Sequence, residues 1–264
     1  MSLSIQSIRS GSSGNCLVVR DGDTTVLVDA GFPSMRQCRN ALGPLLSEVD
    51  AVVVSHLHSD HIQHYPLRVL EESGIPVHVF EGDVDWLRTR HFRGKPFANL
   101  SLRPFDQRRF EVGGLAIQPF AVPHHPGDAT FGFEFTSPNG GSKPQRLVVA
   151  TDFCRADAVQ RWFENADLIF VEANHDLDLL RLHPNPRSYD HLPNASCGEL
   201  LVHALDNSRD LPSAIMLGHL SHQRNTPELA RKAVSALLCE AGYRRIPLHI
   251  APRFDPSVSI ELTS

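Results

Sequence analysis

Ala51-Val-Val-Val-Ser-His56-Leu57-His58-Ser59-Asp60-His61 decides how the rest of the chain is read. An apolar run of this length is a buried strand, and its last residues carry four ligand-type side chains in close succession. His56 and His58, two apart in extended backbone, project to the same side. The helical pattern over residues 62–73 then turns the chain and brings Asp60 and His61 back toward the same point. One histidine at a strand end is an ordinary surface residue. Four such residues in this order ask for a metal ion, because imidazole nitrogen and carboxylate oxygen are donors that zinc takes.

Other buried runs end in the same way: Val26-Leu-Val28 at Asp29, residues 147–151 at Asp152, 168–171 at Glu172 and 214–218 at His219. In sheet-based α/β proteins ligands gather outside the carboxyl ends of strands, so these acids and histidines point toward one shared site. Ala214-Ile-Met-Leu-Gly-His219-Leu220 repeats the form of residues 51–57 and hints at two related halves facing each other. Further strands are expected near residues 4–7, 16–20, 77–80, 115–122, 130–136 and 248–250. Helices are expected at 156–165, 195–205 and 226–241, the last capped by Thr226 with Pro227 at its first position. Strands alternating with helices give an α/β class with mixed sheets.

Composition agrees and narrows the function. The chain has 264 residues, 41% of them hydrophobic and 21% charged, an ordinary globular balance, and one domain over residues 1–264 is expected. No apolar run exceeds four residues, so neither a spanning helix nor a signal peptide is read, and a cytoplasmic location is expected. Five scattered cysteines without a C-x-x-C read as reduced thiols. Fifteen histidines against three methionines again raise the question of metal. The net charge of -5 excludes a wholly basic nucleic-acid surface. One stretch, residues 86–110, departs from it. Arg88, Arg90, Arg93, Lys95, Arg103, Arg108 and Arg109 stand there against the single acid Asp106, interleaved with Trp86, Phe92, Phe97, Phe105 and Phe110. That mixture suits phosphate contacts and base stacking, or else a solvated face whose aromatics reach back into the core.

His56-x-His58-x-Asp60-His61, with Asp29 before it, His124 and Asp152 between and His219 near the end, resembles the metallo-β-lactamase superfamily. The motifs Ser10-Gly-Ser-Ser-Gly-Asn-Cys16, Glu172-Ala-Asn-His175-Asp176, His191-Leu-Pro-Asn194 and Gly218-His-Leu-Ser221 are similar to its YycJ-type hydrolases, a group near ribonucleases Z and J. The resemblance implies an αββα sandwich of two mixed β-sheets with helices on the outer faces. It also implies two divalent ions, zinc with manganese or iron as alternatives, and hydrolysis of phosphodiester bonds in nucleic acid or a small diester by a hydroxide held between the ions. It assigns His56, His58 and His124 to one ion, Asp60, His61 and His219 to the other, and Asp152 to both. Where many relatives have His-Asp, this chain has His124-His125. Either ring then reaches metal, and the other stands behind a ligand or toward substrate.

Asp60 and Asp152 also steer the attacking oxygen in this reading. Asp29 accepts a hydrogen bond from a ligand imidazole or is simply a turn acid before Gly31. A proton donor for the leaving oxygen is required, and His175, Glu172 and His191 are the candidates. His191 is equally a structural residue before a helix cap at Asn194. The competing reading is a thioester or lactone hydrolase on the same metals, for which the basic segment is irrelevant. A flavodiiron-type redox module is disfavoured because position 58 is His rather than Glu.

Overall fold

Strands covered on both faces show apolar residues at successive rather than alternate positions. The computed structural model, which describes residues 2–262 except 93, 95 and 139–142, assembles such runs into two seven-stranded mixed sheets. In the first, β1 (Leu3–Arg9), β2 (Cys16–Asp21) and β3 (Thr24–Val28) are antiparallel, and β4 (Ala51–Val53), β5 (Val77–Phe80) and β6 (Leu102–Phe105) continue in parallel. In the second, β7 (Phe110–Val112), β8 (Leu115–Ala121), β9 (Phe131–Ser137) and β10 (Gln145–Ala150) are antiparallel. There β11 (Leu168–Glu172), β12 (Ala214–Gly218) and β13 (Leu248–Ile250) run on in parallel, and β14 (Ile260–Glu261) returns to pair with β1.

The two sheets therefore share one plan, four antiparallel strands followed by three parallel ones. The repeated string does not mark it. β4 stands beside the last antiparallel strand of its sheet, whereas β12 stands one place further out. The shared pattern records burial on both faces and a histidine after the strand, which two inequivalent strands satisfy equally.

Because successive side chains point to opposite faces, each central strand feeds two cores. Val26, Val28, Ala51, Val53, Leu147 and Val149 meet between the sheets. Leu27 and Val52 face outward under α1 (Met35–Leu42), α2 (His64–Glu72) and α3 (Val84–His91), whose Cys38, Leu42, Leu67, Leu70 and Leu87 cover them. Val148 and Ala150 face α4 (Gln160–Phe163), α6 (Asn194–Asp206) and α7 (Pro227–Glu240). The result is the expected αββα sandwich. Among the described residues no helix is long and apolar enough to cross a membrane.

Several element expectations change. The helix expected over 62–73 begins at His64, after a turn. That expected over 156–165 breaks into a 3-10 turn at Ala156–Ala158 and the single turn of α4. Thr226 caps α7 as read, its Oγ1 accepting from the Leu229 amide at 3.2 Å. Asn194 does not cap α6: it is the first helical residue, and its side chain bonds Asn225 instead. α1, α3, α5 (Leu177–Leu182), β6 and β7 carried no recognised signal.

Candidate metal centre

At the carboxyl ends of β3, β4, β10 and β12 the backbone turns sharply. Asp29, Asp152 and His219 all take left-handed conformations, with φ of 63°, 58° and 52°. Such residues cost ~1–3 kcal/mol each and persist where surrounding structure over-determines them. Here each reverses the chain at the rim where the two sheets meet, so that side chains from both sheets converge.

The loop after β4 is folded by its neighbours as much as by its own sequence. The His61 and Ile62 amides both donate to the His58 carbonyl at 3.0 Å, closing the turn that returns Asp60 and His61. Asn15 and Ala30 amides then clamp the Asp60 and His61 carbonyls at 2.7 Å. Gly31 permits the clamp, because a Cβ there would lie 1.8 Å from the Asp60 carbonyl oxygen.

Four overlapping groups of side chains bring ligand atoms within 4.8 Å of one another: His56/His58/His124, His56/His61/Asp152, Asp60/His61/His219, and Asp152/Glu172/His191/His219. Asp152 links the first set of imidazoles to the second. Its carboxylate lies 3.1 Å from His61 Nε2, 3.9 Å from His124 Nε2 and 3.6 Å from His219 Nδ1.

These residues fit a bound cation on the evidence of their own hydrogen bonding. Nε2 of His56, His124 and His219 and Oδ2 of Asp152 are buried without a hydrogen-bond partner, an arrangement that is costly unless something occupies the space between them. On three of the cluster's rings Nδ1 is engaged. His61 Nδ1–H donates to Asp29 Oδ2 at 2.7 Å, His124 Nδ1–H to the Asp190 carbonyl at 2.9 Å, and His219 Nδ1–H to Glu172 Oε1 at 2.8 Å. His58 Nε2–H donates to Asp128 Oδ2 at 2.9 Å, which leaves Nδ1 as its available nitrogen. Such partners fix the tautomer that presents a lone pair to metal.

The charge balance has the same sense. Burial and the neighbouring His61 hold His56 well below its ordinary pKa, a neutral ligand. Burial would lower His219 and His61 too, but Asp152 and its fellow acids prevail, pushing His219 up to about 10 and His61 well above its usual range. The negative charge that retains these protons is what a divalent cation exchanges for them.

Asp29 bonds the cluster as well as turning the chain. Besides His61, it accepts from the Ser55 amide and hydroxyl, both at 2.8 Å. Asp29→Asn keeps the left-handed turn, which Asn tolerates, but puts a donor opposite His61 Nδ1. Metal affinity should fall ~10- to 100-fold with little loss of thermal stability; unchanged affinity by competition with a chromogenic chelator would count against an orienting role.

His124 rather than His125 joins the cluster. His125 is exposed, with Nδ1 3.1 Å from Asp190 Oδ2. The three proton-donor candidates separate as clearly. Glu172 is an acceptor throughout: Oε1 takes His191 Nδ1–H at 2.7 Å as well as His219, and Oε2 takes the Phe153 and Leu192 amides. Burial would raise this carboxyl, but His191 and His219 bring it to about 2, so it carries no proton to give. His175 is buried and does not line the cavity over the cluster. His191 does line it, and although burial would lower its pKa, Glu172 raises it above the usual value.

That cavity, about 490 Å³, is lined by His58, Asp60, His124, Asp152, His191 and His219, and also by Arg90, Arg187 and Arg224. The last two arginines, together with Asp128 and Asp190, carried no sequence signal of their own, and Asn15 stood only within the Ser10–Cys16 motif. The basic segment 86–110 is largely structural. Phe105 and Phe110 pack with the inter-sheet core, and Phe92 and Phe97 lie 4.4 Å apart under α2. Arg88 pairs with Asp85 and Arg108 with Asp106. Arg93 and Lys95 lie outside the described residues. Arg90 alone of the segment's described basic residues reaches the cavity.

A histidine and carboxylate cluster at the shared rim of two such sheets is the site of a metal-dependent hydrolase with the metallo-β-lactamase fold. The chain belongs to the β-lactamase superfamily: the family model described as "Beta-lactamase superfamily domain" matches residues 24–211. It is 29% identical over 259 residues to the protein named exodeoxyribonuclease YycJ of Bacillus anthracis, covering 92% of each chain. It is 27% identical over 254 residues to exodeoxyribonuclease WalJ of Streptococcus pneumoniae, covering 89% of this chain and 87% of that one. The crystal structure of the metallo-β-lactamase fold protein YhfI from Bacillus subtilis superposes with a TM-score of 0.75 at 19% identity, over 99% of this chain and 100% of that one.

Proposed function

We propose that the chain is a phosphodiesterase that cleaves nucleic acid at a site for two divalent ions. The observation that carries this reading is the ring of Arg90, Arg187 and Arg224 around the cavity that holds the ligand cluster, in a chain whose net charge is -5. A neutral thioester or lactone has no use for three cations there, whereas a phosphodiester does. The names of the YycJ and WalJ relatives support the same substrate class.

In this reading His56, His58 and His124 hold one ion, Asp60, His61 and His219 the other, and Asp152 serves both. Zinc suits the donors, as do manganese and iron. Divalent ions held there would acidify a water and neutralise charge on the phosphoryl group. The protein supplies the rest. Arg90, Arg187 and Arg224 seat the anionic backbone, and Asp60 and Asp152 accept hydrogen bonds that orient the attacking oxygen. His191 Nε2–H protonates the leaving oxygen, while Glu172 holds the His191 ring by Nδ1–H and keeps it charged.

Metal analysis followed by assays on single-stranded DNA, RNA, bis(p-nitrophenyl) phosphate and a thioester tests the reading. About two ions per chain and diester cleavage lost on chelation and restored by metal are expected. Thioester hydrolysis without cleavage of any diester would overturn it.

A further inference from the structure

A second cavity of about 510 Å³ opens beside the metal centre, within the ~300–1,000 Å³ typical of small-ligand pockets. Its walls include Trp86, Arg90, Asp83 and Leu57, together with His58 and His125. His58, Arg90 and His125 also line the cavity over the ligand cluster, so the two form one trough with the His58 imidazole at the join. Trp86 and Arg90 are four residues apart on α3 and therefore share a helix face. The Trp86 side chain is 54% exposed, whereas the chain's other tryptophan, Trp162, stacks on Phe120 with ring centroids 4.6 Å apart. Among the described residues the Arg90 guanidinium has no hydrogen-bond or ion-pair partner. A flat, wet indole beside an unpaired guanidinium, one step from a ligand histidine, is a surface without an internal purpose.

We infer that this side cavity is a base subsite, in which the nucleobase next to the scissile phosphate stacks on Trp86 while Arg90 holds the phosphate at the join of the two cavities. The inference rests on the phosphodiester reading above and adds to it the part of the substrate that is recognised. A nucleobase fits because it offers a π-face to the indole whatever its identity, and because backbone phosphates on either side of it reach a cation placed one helical turn from the ring. Asp83, in the same wall, offers an acceptor for an exocyclic amine. Stacking thereby grips a strand whatever its sequence, and Asp83 adds a preference for bases that carry an exocyclic amine.

Trp86→Ala in the metal-loaded enzyme should raise KM for a short single-stranded oligonucleotide by roughly 5- to 150-fold, the usual range for loss of one stacked base, with kcat moved much less. Trp86→Phe should recover most of the loss and Trp86→Leu little of it. Oligonucleotides lacking one base at successive positions supply a test that needs no mutation. Wild-type KM should rise when the base is missing at one of the two nucleotides flanking the cleaved bond, and on that substrate Trp86→Ala should add nothing. A KM indifferent to Trp86 and to the missing base, in an enzyme that still cleaves the oligonucleotide, overturns the subsite and leaves the phosphodiester reading standing. Failure of the wild-type enzyme to cleave any oligonucleotide overturns both. An equal penalty from Trp86→Ala on every abasic substrate assigns Trp86 a structural role and also rejects the subsite.

Discussion

Asp152→Asn should lower diester turnover by ~10³-fold or more and take metal out of the protein with it. The estimate follows from the several kcal/mol of charge stabilisation that bound divalent ions give a phosphoryl transition state, at ~1.4 kcal/mol for each factor of ten. Asn is the right replacement because φ at this position is 58°, a conformation Asn adopts readily and Ala does not. Size and backbone are then kept, and what is lost is the one negative charge that faces His61, His124 and His219 together. Burial alone would raise the Asp152 carboxyl, but the imidazoles of His219 and His61 hold it well below the usual carboxylate range. His58→Ala provides a second arm, since it removes one nitrogen from a single ligand set and should lose less metal than Asp152→Asn. Metal content measured after gel filtration, together with kcat/KM on bis(p-nitrophenyl) phosphate, decides the matter. If Asp152→Asn keeps its full metal content and turns over within tenfold of wild type, the dinuclear reading fails.

The strand and turn that bring His56, His58, Asp60 and His61 together were legible because they are local. Residues 51–61 hold a strand, a tight turn and four donors within one loop, and a turn of that length leaves few ways for His56, His58, Asp60 and His61 to diverge. Thr226-Pro227 was legible for a related reason: a cap acts three residues away. The partners that tune the ligands are not local. The Asp128 carboxylate reaches His58 across seventy positions and the Asp190 backbone carbonyl reaches His124 across sixty-six, and no spacing rule selects either partner. Asn194 shows the same limit from the other side. It is a good capping residue by type, but Asn225, thirty-one positions away, offered it a buried partner and won. The basic segment stayed open to two readings because composition does not say which way a side chain faces. Phe105 and Phe110 are core residues whose strands happen to be flanked by arginines, and among the segment's described residues Trp86 and Arg90, paired by the helical period of α3, line the cavity beside the site. α3 itself escaped notice because its last turn carries Arg88, Arg90 and His91, charges that favour a helix end but hide an apolar face.

His191→Ala should lower turnover on ordinary phosphodiesters by ~10²- to 10⁴-fold, the range for loss of a positioned proton donor, and leave metal content intact. The size of the loss depends on the leaving group. A nucleoside alkoxide needs a proton as the bond breaks, whereas p-nitrophenolate does not, so bis(p-nitrophenyl) phosphate should lose far less. His175→Ala, by contrast, should affect both substrates alike, because His175 lies outside the cavity that His191 lines. The pH profile gives an independent reading. His191 acts in its protonated form, so activity falls as pH rises through its pKa, which Glu172 at 2.7 Å raises despite burial. Glu172→Gln removes that charge and should move the alkaline limb of kcat/KM to lower pH. The variant has a second effect to separate, since Glu172 also holds His219 at 2.8 Å; metal content and the activity that remains on the acid side of the limb measure it. Equal losses on activated and ordinary diesters in His191→Ala, with an alkaline limb that stays in place in Glu172→Gln, would remove His191 from the proton-donor role and leave the leaving oxygen to be protonated by solvent.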